Sequence, residues 1–250
     1  MPKNQIEKTN EAEQASKSEV AYLRVKQDIV SGRISDDKPL RTETLKANYD
    51  LGVTPIRDAL ARLETEGFVE LRHNRGYYTT RLSAEDFQDL LYTRFTIERE
   101  LLKRSIERGG DDWEVEIVAA HHLLSKSTLE LRNPDMGDLE QWEDRHVAFH
   151  TALLSASGAS RFLAYYRGIY DHFRRHQKAL VLLPFANRAQ RGDAEALKVI
   201  DQLEQSMALE EHTRLMEAAL SRDVVLAMRL MDEHAYLTPW QVHSPHLVGN

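Results

Sequence analysis

Four of the eleven histidines are spaced so that they can act together. In Glu143-Asp144-Arg145-His146-Val147-Ala148-Phe149-His150 two imidazoles stand four residues apart, one helical turn, so both face the same way and form half of a metal site. His212 and His234 each recur on an otherwise apolar stretch, beside Leu209, Leu215 and Met216 in the first case and Leu230 and Met231 in the second. If the two segments joined at Ser221 to Asp223 run antiparallel, these rings can meet. A lone histidine on an apolar face is more often a hydrogen-bonded core residue, and the pair at i, i+4 by itself leaves the metal and core readings level. Hydrolytic zinc chemistry needs a glutamate after the first histidine of such a pair; here that residue is Val147, so the general base is missing. Glu143, one turn before His146, is better placed to orient a histidine than to bind an ion.

A second feature is a cation on an apolar face. The stripe Phe87, Leu90, Leu91, Arg94, Ile97, Leu101 puts Arg94 among residues that face a core. A buried arginine needs a partner, either Glu98 one turn on or the carboxylate of a bound ligand, and Glu98 can orient Arg94 until that ligand arrives. Arg174, Arg175 and His176 can reach the same cavity, with Arg174 the candidate contact, although a charge run of this kind reads first as a solvated face.

These side chains need helices to carry them. From Ser83, with Glu85 and Asp86 in the opening turn, a helix runs to about Arg108 and stops at Gly109-Gly110. Further helices are predicted over 112–131, 136–156, 160–182, 194–220 and 222–240, broken at Asn133-Pro134, Gly158, Pro184, Gly192 and Ser221-Arg222-Asp223. The result is an all-α antiparallel bundle.

Residues before Ser83 follow a different pattern. The first 18 are polar and read as a mobile tail. A helical stripe of Val20, Leu23, Ile29 and Val30 ends at Gly32, and a short helix follows with Thr42 as cap. In Gly52-Val53-Thr54-Pro55-Ile56-Arg57-Asp58-Ala59-Leu60, Thr54 reads as the cap and Pro55 as the first residue of a third helix, closed by Gly67. Phe68 to Arg72 and Tyr77 to Arg81 then read as strands around the turn His73-Asn74-Arg75-Gly76. Three helices and a hairpin make a winged helix-turn-helix, so the chain is mainly α with one small β-hairpin. The third helix would enter the major groove with Thr54, Pro55 and Arg57 at the leading end, while Arg41, Arg62, His73, Arg75 and Gly76 are further candidates for DNA contact. Arg57 can equally pair with Asp58 or Glu64.

The run Tyr22 to Gly32, Leu45, Leu51-Gly52-Val53-Thr54-Pro55-Ile56-Arg57-Asp58-Ala59-Leu60, Arg62-Leu63-Glu64, Glu66-Gly67-Phe68-Val69 and Arg75-Gly76 resembles the winged helix of GntR-family transcription regulators. The family's usual Pro-Gly near the end of the first turn is replaced by Asp36-Asp37-Lys38-Pro39, and a frequent second arginine by Val53. Leu91-Tyr92-Thr93-Arg94-Phe95-Thr96-Ile97-Glu98, Phe149-His150, Glu211 to Ala218 and Met231-Asp232-Glu233-His234 resemble the FCD domain of the FadR subfamily. That resemblance implies a divalent metal held by three histidines, here His150, His212 and His234, and an aspartate whose position is taken by His146. Four neutral imidazoles leave about two positive charges on a divalent ion, and nitrogen ligation favours zinc, nickel or copper over magnesium. Zinc or nickel and a small organic acid effector are the expectation.

Composition bounds the rest. With 250 residues, 42% hydrophobic and 29% charged, the chain can bury two ordinary cores, and the absence of cysteine removes disulfides and thiolate sites. The longest apolar run, Ala179 to Ala186, is eight residues, against the roughly 20 a membrane span needs, and Met1 to Ser18 has no apolar centre for a signal peptide, so a cytoplasmic protein with no membrane partner is expected. The net charge of −7 falls almost wholly after residue 82: 14 basic and 13 acidic residues precede that point, 19 and 27 follow it. The expected domains are a tail at 1–18, a DNA-binding domain at 19–82, an effector- and metal-binding domain at 83–240 and a tail at 241–250. Together these give a homodimeric, double-stranded-operator-binding regulator controlled by a carboxylate. The competing readings are a metal-dependent hydrolase or lyase with an accessory DNA domain, and a regulator with a metal-free apolar pocket.

Overall fold

A computed structural model describes the backbone of residues 3–236 and the side chains of residues 17–234. The chain divides into two units, with the boundary after Ser83. The second tail expected from the sequence, 241–250, lies outside the described residues.

In the first unit, helix α1 spans Lys3–Val30, α2 Thr42–Tyr49 and α3 Val53–Thr65. The backbone is helical from Lys3, so α1 begins within the stretch expected as a tail. Glu, Gln, Ala and Lys dominate residues 11–17 with neither glycine nor proline, so a helix nucleated by its buried end has nothing to stop it. That end packs Ala21, Tyr22, Val25 and Ile29 against Ile56, Leu60 and Leu63 of α3 and against Leu45. Strands β1, Val69–Arg72, and β2, Gly76–Thr79, pair antiparallel with Leu71 opposite Tyr77. Their turn uses Asn74 and Gly76 at positive φ, +57° and +82°, a conformation that asparagine tolerates and glycine adopts freely. Tyr77 accepts from Leu40 N–H and Thr79 donates to Lys38, tying the wing to the segment before α2.

Two caps differ from the sequence reading. Helix α2 begins with Arg41 as its cap, and α3 with Gly52, so Thr54 and Pro55 are the second and third residues of α3. Proline is still tolerated there, because the first four N–H groups of a helix have no partner within it.

The second unit contains α4 Ala84–Arg108, α5 Asp111–Leu124, α6 Met136–Leu154, α7 Ser160–Gln177, α8 Leu183–Gln190, α9 Ala194–Ser206, α10 Leu209–Leu220 and α11 Val224–Tyr236. Phe87, Leu101, Ile117, Phe149, Leu153, Tyr166, Ile200 and Leu203 form the centre of its core. Helix α4 packs on α7 and α11, α5 on α6, and α10 on α11. A Cβ at Gly158, whose φ is +67°, would fall 2.6 Å from the Arg108 guanidinium, which donates to Ser157 O at 3.1 Å across the α6–α7 junction.

Three predicted boundaries shift. Helix α5 stops at Leu124 instead of 131. Pro184 does not break the chain's helical course: a π-helical stretch, Lys178–Leu182, leads from α7 into α8, where proline sits in the first turn. The single helix expected over 194–220 is two, parted at Met207 and Ala208.

Candidate functional site

The imidazoles converge. His146 and His150 share one face of α6, a helix opened by Asp135, whose carboxylate accepts from Gly137 and Asp138 N–H. His212 lies in the first turn of α10 and His234 in the last turn of α11, and these packed helices carry both rings to the α6 pair. One nitrogen of each residue lies within 4.8 Å of one nitrogen of every other. Ring centroids are 4.5 Å apart for His146 and His150, 4.9 Å for His146 and His212, and 4.8 Å for His212 and His234. Trp142 stacks on His146 at 4.6 Å, and Phe149 meets both His150 and His212 edge to face.

The hydrogen bonding divides each ring into a held and an open side. His212 Nδ1 bonds Ala208 O at 2.8 Å and His146 Nδ1 the Tyr170 hydroxyl at 2.9 Å. Nε2 of both, and both nitrogens of His150, are buried without a hydrogen-bond partner. Burial, reinforced by neighbouring imidazoles, holds His146, His150 and His234 far below the ordinary histidine range, and burial lowers His212 to about 4. The rings are therefore neutral near pH 7, and each has a nitrogen within reach of the other three. That fits a nitrogen-ligated cation of the zinc or nickel type, since buried acceptors without a donor are costly and a metal satisfies them. Among the described residues the cluster gathers four imidazoles and no carboxylate, a donor set suited to holding a cation.

Beside the cluster is a narrow cleft of about 30 Å³ lined by Arg94, Trp142, His146, Tyr170, Arg174 and His234, among others. Arg94 is buried, its Nε 3.2 Å from Glu98 and its guanidinium 4.0 Å above the Phe173 ring. Glu98 also accepts the Tyr166 hydroxyl at 2.9 Å. Arg174 donates to Glu143 and Asp144, both at 3.0 Å. The solvated run expected at Arg174, Arg175 and His176 is corrected: all three are buried. They lie where α7 packs against α4, and His176 stacks on Phe87 with its Nε2 2.9 Å from Asp86. Glu143 does not orient a histidine; it accepts from Arg174 and from Lys178, the latter at 2.7 Å. The sequence reading did not name Tyr166, Tyr170 or Lys178. The spacing of Tyr166, Tyr170 and Phe173 on α7 is the helical signal that would have found two of them.

In the first unit Arg57 and Thr54 are exposed on α3, and among the described residues Arg57 forms no hydrogen bond or ion pair, with neither Asp58 nor Glu64. Arg41, His73, Arg75 and Gly76 are exposed at the start of α2 and on the wing turn. Two candidates sit otherwise. Pro55 is buried on the packing face of α3. Arg62 lies 3.5 Å above the Tyr22 ring and bridges Glu19 and Glu66 at 2.7 and 3.2 Å, a contact that fastens α1 to α3.

Comparison with known proteins agrees with this division. Residues 17–78 match the model of bacterial regulatory proteins of the gntR family, and residues 89–236 match the FCD domain. The chain is 31% identical over 229 residues to the HTH-type transcriptional repressor GlaR of Escherichia coli K12, covering 92% of this chain and 96% of that one. It is 29% identical over 216 residues to the HTH-type transcriptional regulator BphR of Paraburkholderia xenovorans, with 86% and 81% covered. The solved structure of E. coli McbR/YncC has the same fold, with a TM-score of 0.66 at 13% identity over 92% of this chain and 98% of that one. These families and relatives are transcription regulators and not enzymes. The chain thus belongs to the GntR family of DNA-binding transcription regulators, its winged helix-turn-helix followed by an FCD domain.

Proposed function

We propose that this regulator's operator affinity is set by a small carboxylate bound in the cleft beside a zinc or nickel ion held by His146, His150, His212 and His234. The observation that carries this reading is the set of buried, partnerless imidazole nitrogens next to two buried guanidiniums. A bound divalent ion would supply positive charge and an open coordination position for an anion. Arg94 grips the effector carboxylate, with Glu98 holding the guanidinium in place beforehand, and Arg174 takes a second polar group. Arg41, Thr54, Arg57, His73 and Arg75 face double-stranded operator DNA, Arg57 from the leading end of α3 and Arg75 from the wing.

A single winged domain reads too few base pairs to be selective, so the active form is a homodimer on two half-sites. Effector and DNA favour different arrangements of the dimer, which couples their affinities reciprocally. By analogy with GlaR, named a repressor, the effector lifts repression. A thermal-shift screen of small carboxylates, with and without chelator, tests the reading. A stabilising acid whose effect disappears with chelator and in an Arg94→Lys variant supports it; stabilisation that survives both treatments rules out the metal and Arg94 together.

A further inference from the structure

Tyr170 is buried on α7, lines the cleft, and places its hydroxyl oxygen 2.9 Å from His146 Nδ1. Nε2 of the same ring is buried without a hydrogen-bond partner, and the ring belongs to the four-imidazole cluster. A neutral imidazole carries a single N–H, so the two sides of His146 are not independent. When Nε2 gives its lone pair to a cation, the hydrogen resides on Nδ1, which then donates to the Tyr170 oxygen. The phenol's own hydrogen is released from His146 by that change. When the hydrogen resides on Nε2 instead, Nδ1 is an acceptor and takes the phenol hydrogen for itself. Tyr170 keeps its O–H in both cases, since only the imidazole hydrogen changes place.

Resting on the metal reading above, we propose that Tyr170 is a hydrogen-bond relay: metal on His146 turns the phenol O–H toward the cleft, where it donates to a bound anion. The acceptor side is set by the neighbourhood, because Arg94 and Arg174 line the same cleft and draw an anion to it. Tyr170 is then a positioning and specificity residue that links metal occupancy to anion affinity in both directions. The relay depends on histidine at position 146. A carboxylate there can only accept, so it would hold the phenol hydrogen whether or not metal is bound.

The test uses the full chain loaded with cobalt(II) as a visible probe metal and azide as a probe anion, followed by the change in the cobalt spectrum. With both proteins loaded at saturating cobalt, Tyr170→Phe is expected to bind azide about tenfold more weakly, the loss of one hydrogen bond to a charged group. In a His146→Asp background the same Tyr170→Phe change is expected to leave azide affinity unaltered, an outcome that a packing role for Tyr170 would not produce. Circular dichroism and melting confirm that each variant is folded. Equal azide affinity in parent and Tyr170→Phe, no azide response in the cobalt-loaded parent, or the same tenfold loss in the His146→Asp background each overturns the relay. Failure of the parent to take up cobalt overturns the metal reading itself, and the relay with it.

Discussion

The ammonium of Lys178 donates to the carboxylate of Glu143 at 2.7 Å, and both side chains are almost wholly enclosed. Lys178 opens the π-helical stretch after α7, and Glu143 lies one turn before His146 on α6. Arg174 shares the same carboxylate at 3.0 Å, so one buried anion neutralises part of two buried cations beside the cleft.

Removing that anion should be costly. Glu143→Ala leaves Lys178 and Arg174 without their common acceptor in an enclosed place, with an expected loss of about 3–5 kcal/mol. Lys178→Met should cost less, because Glu143 keeps Arg174 and the methionine fills a similar volume. Chemical denaturation followed by circular dichroism measures both; a Glu143→Ala loss no larger than that of Lys178→Met would contradict the assignment.

On DNA, the exposed arginines separate by role. Arg57→Ala is expected to weaken binding to a selected operator fragment by about 1–3 kcal/mol while leaving random DNA less affected, whereas Arg75→Ala weakens both alike and lowers the salt slope by about one. Arg62→Ala should leave the slope alone and instead lower the melting temperature of the winged domain, since its guanidinium is spent on Tyr22, Glu19 and Glu66. Fluorescence anisotropy across a salt series reads all three; a reduced slope in Arg62→Ala would return that residue to the DNA surface.

Acid should destabilise the metal-free protein. His212 is held at about 4 by burial, below its unfolded value near 6.5, so the unfolded chain binds a proton that the folded one refuses. Stability is therefore full above about 6.5 and falls progressively down to about 4, by roughly 3 kcal/mol from this group alone. His146, His150 and His234, depressed in the same direction, add to the fall. Melting in chelator at pH 7.5 and 5.5 checks it: the parent should lose stability and His212→Asn should lose less, while a pH-independent parent would show that the rings are not held neutral.

Much of this was legible in the sequence because the relevant signals are periodic. His146 and His150 one turn apart, Arg94 within an apolar stripe, and the stop of α3 at Gly67 each report a helix face or end directly. Burial of a charge run is not periodic in that sense. Arg174, Arg175 and His176 read as solvent-facing because nothing local reveals that α4 and α6 supply Asp86 and Glu143 as partners. Pro184 read as a break because proline ends a helix and also begins one, and the π-helical stretch before it decides between the two. The parting of α9 from α10 at Met207 and Ala208 carries neither glycine nor proline, and so left no mark. The Tyr170 hydroxyl bond depends on two helices meeting, which no single segment encodes.

The most direct measurement is the metal content of the purified full chain beside that of a folded His150→Ala variant, after identical exposure to zinc and nickel and removal of unbound ion. His150 has both ring nitrogens buried and unpaired, so its loss should matter most. About one ion per chain in the parent and less than about a tenth of that in the variant is the expected result. Equal content in the two proteins, or none in either, would leave the histidines as core residues and the cleft without its cation.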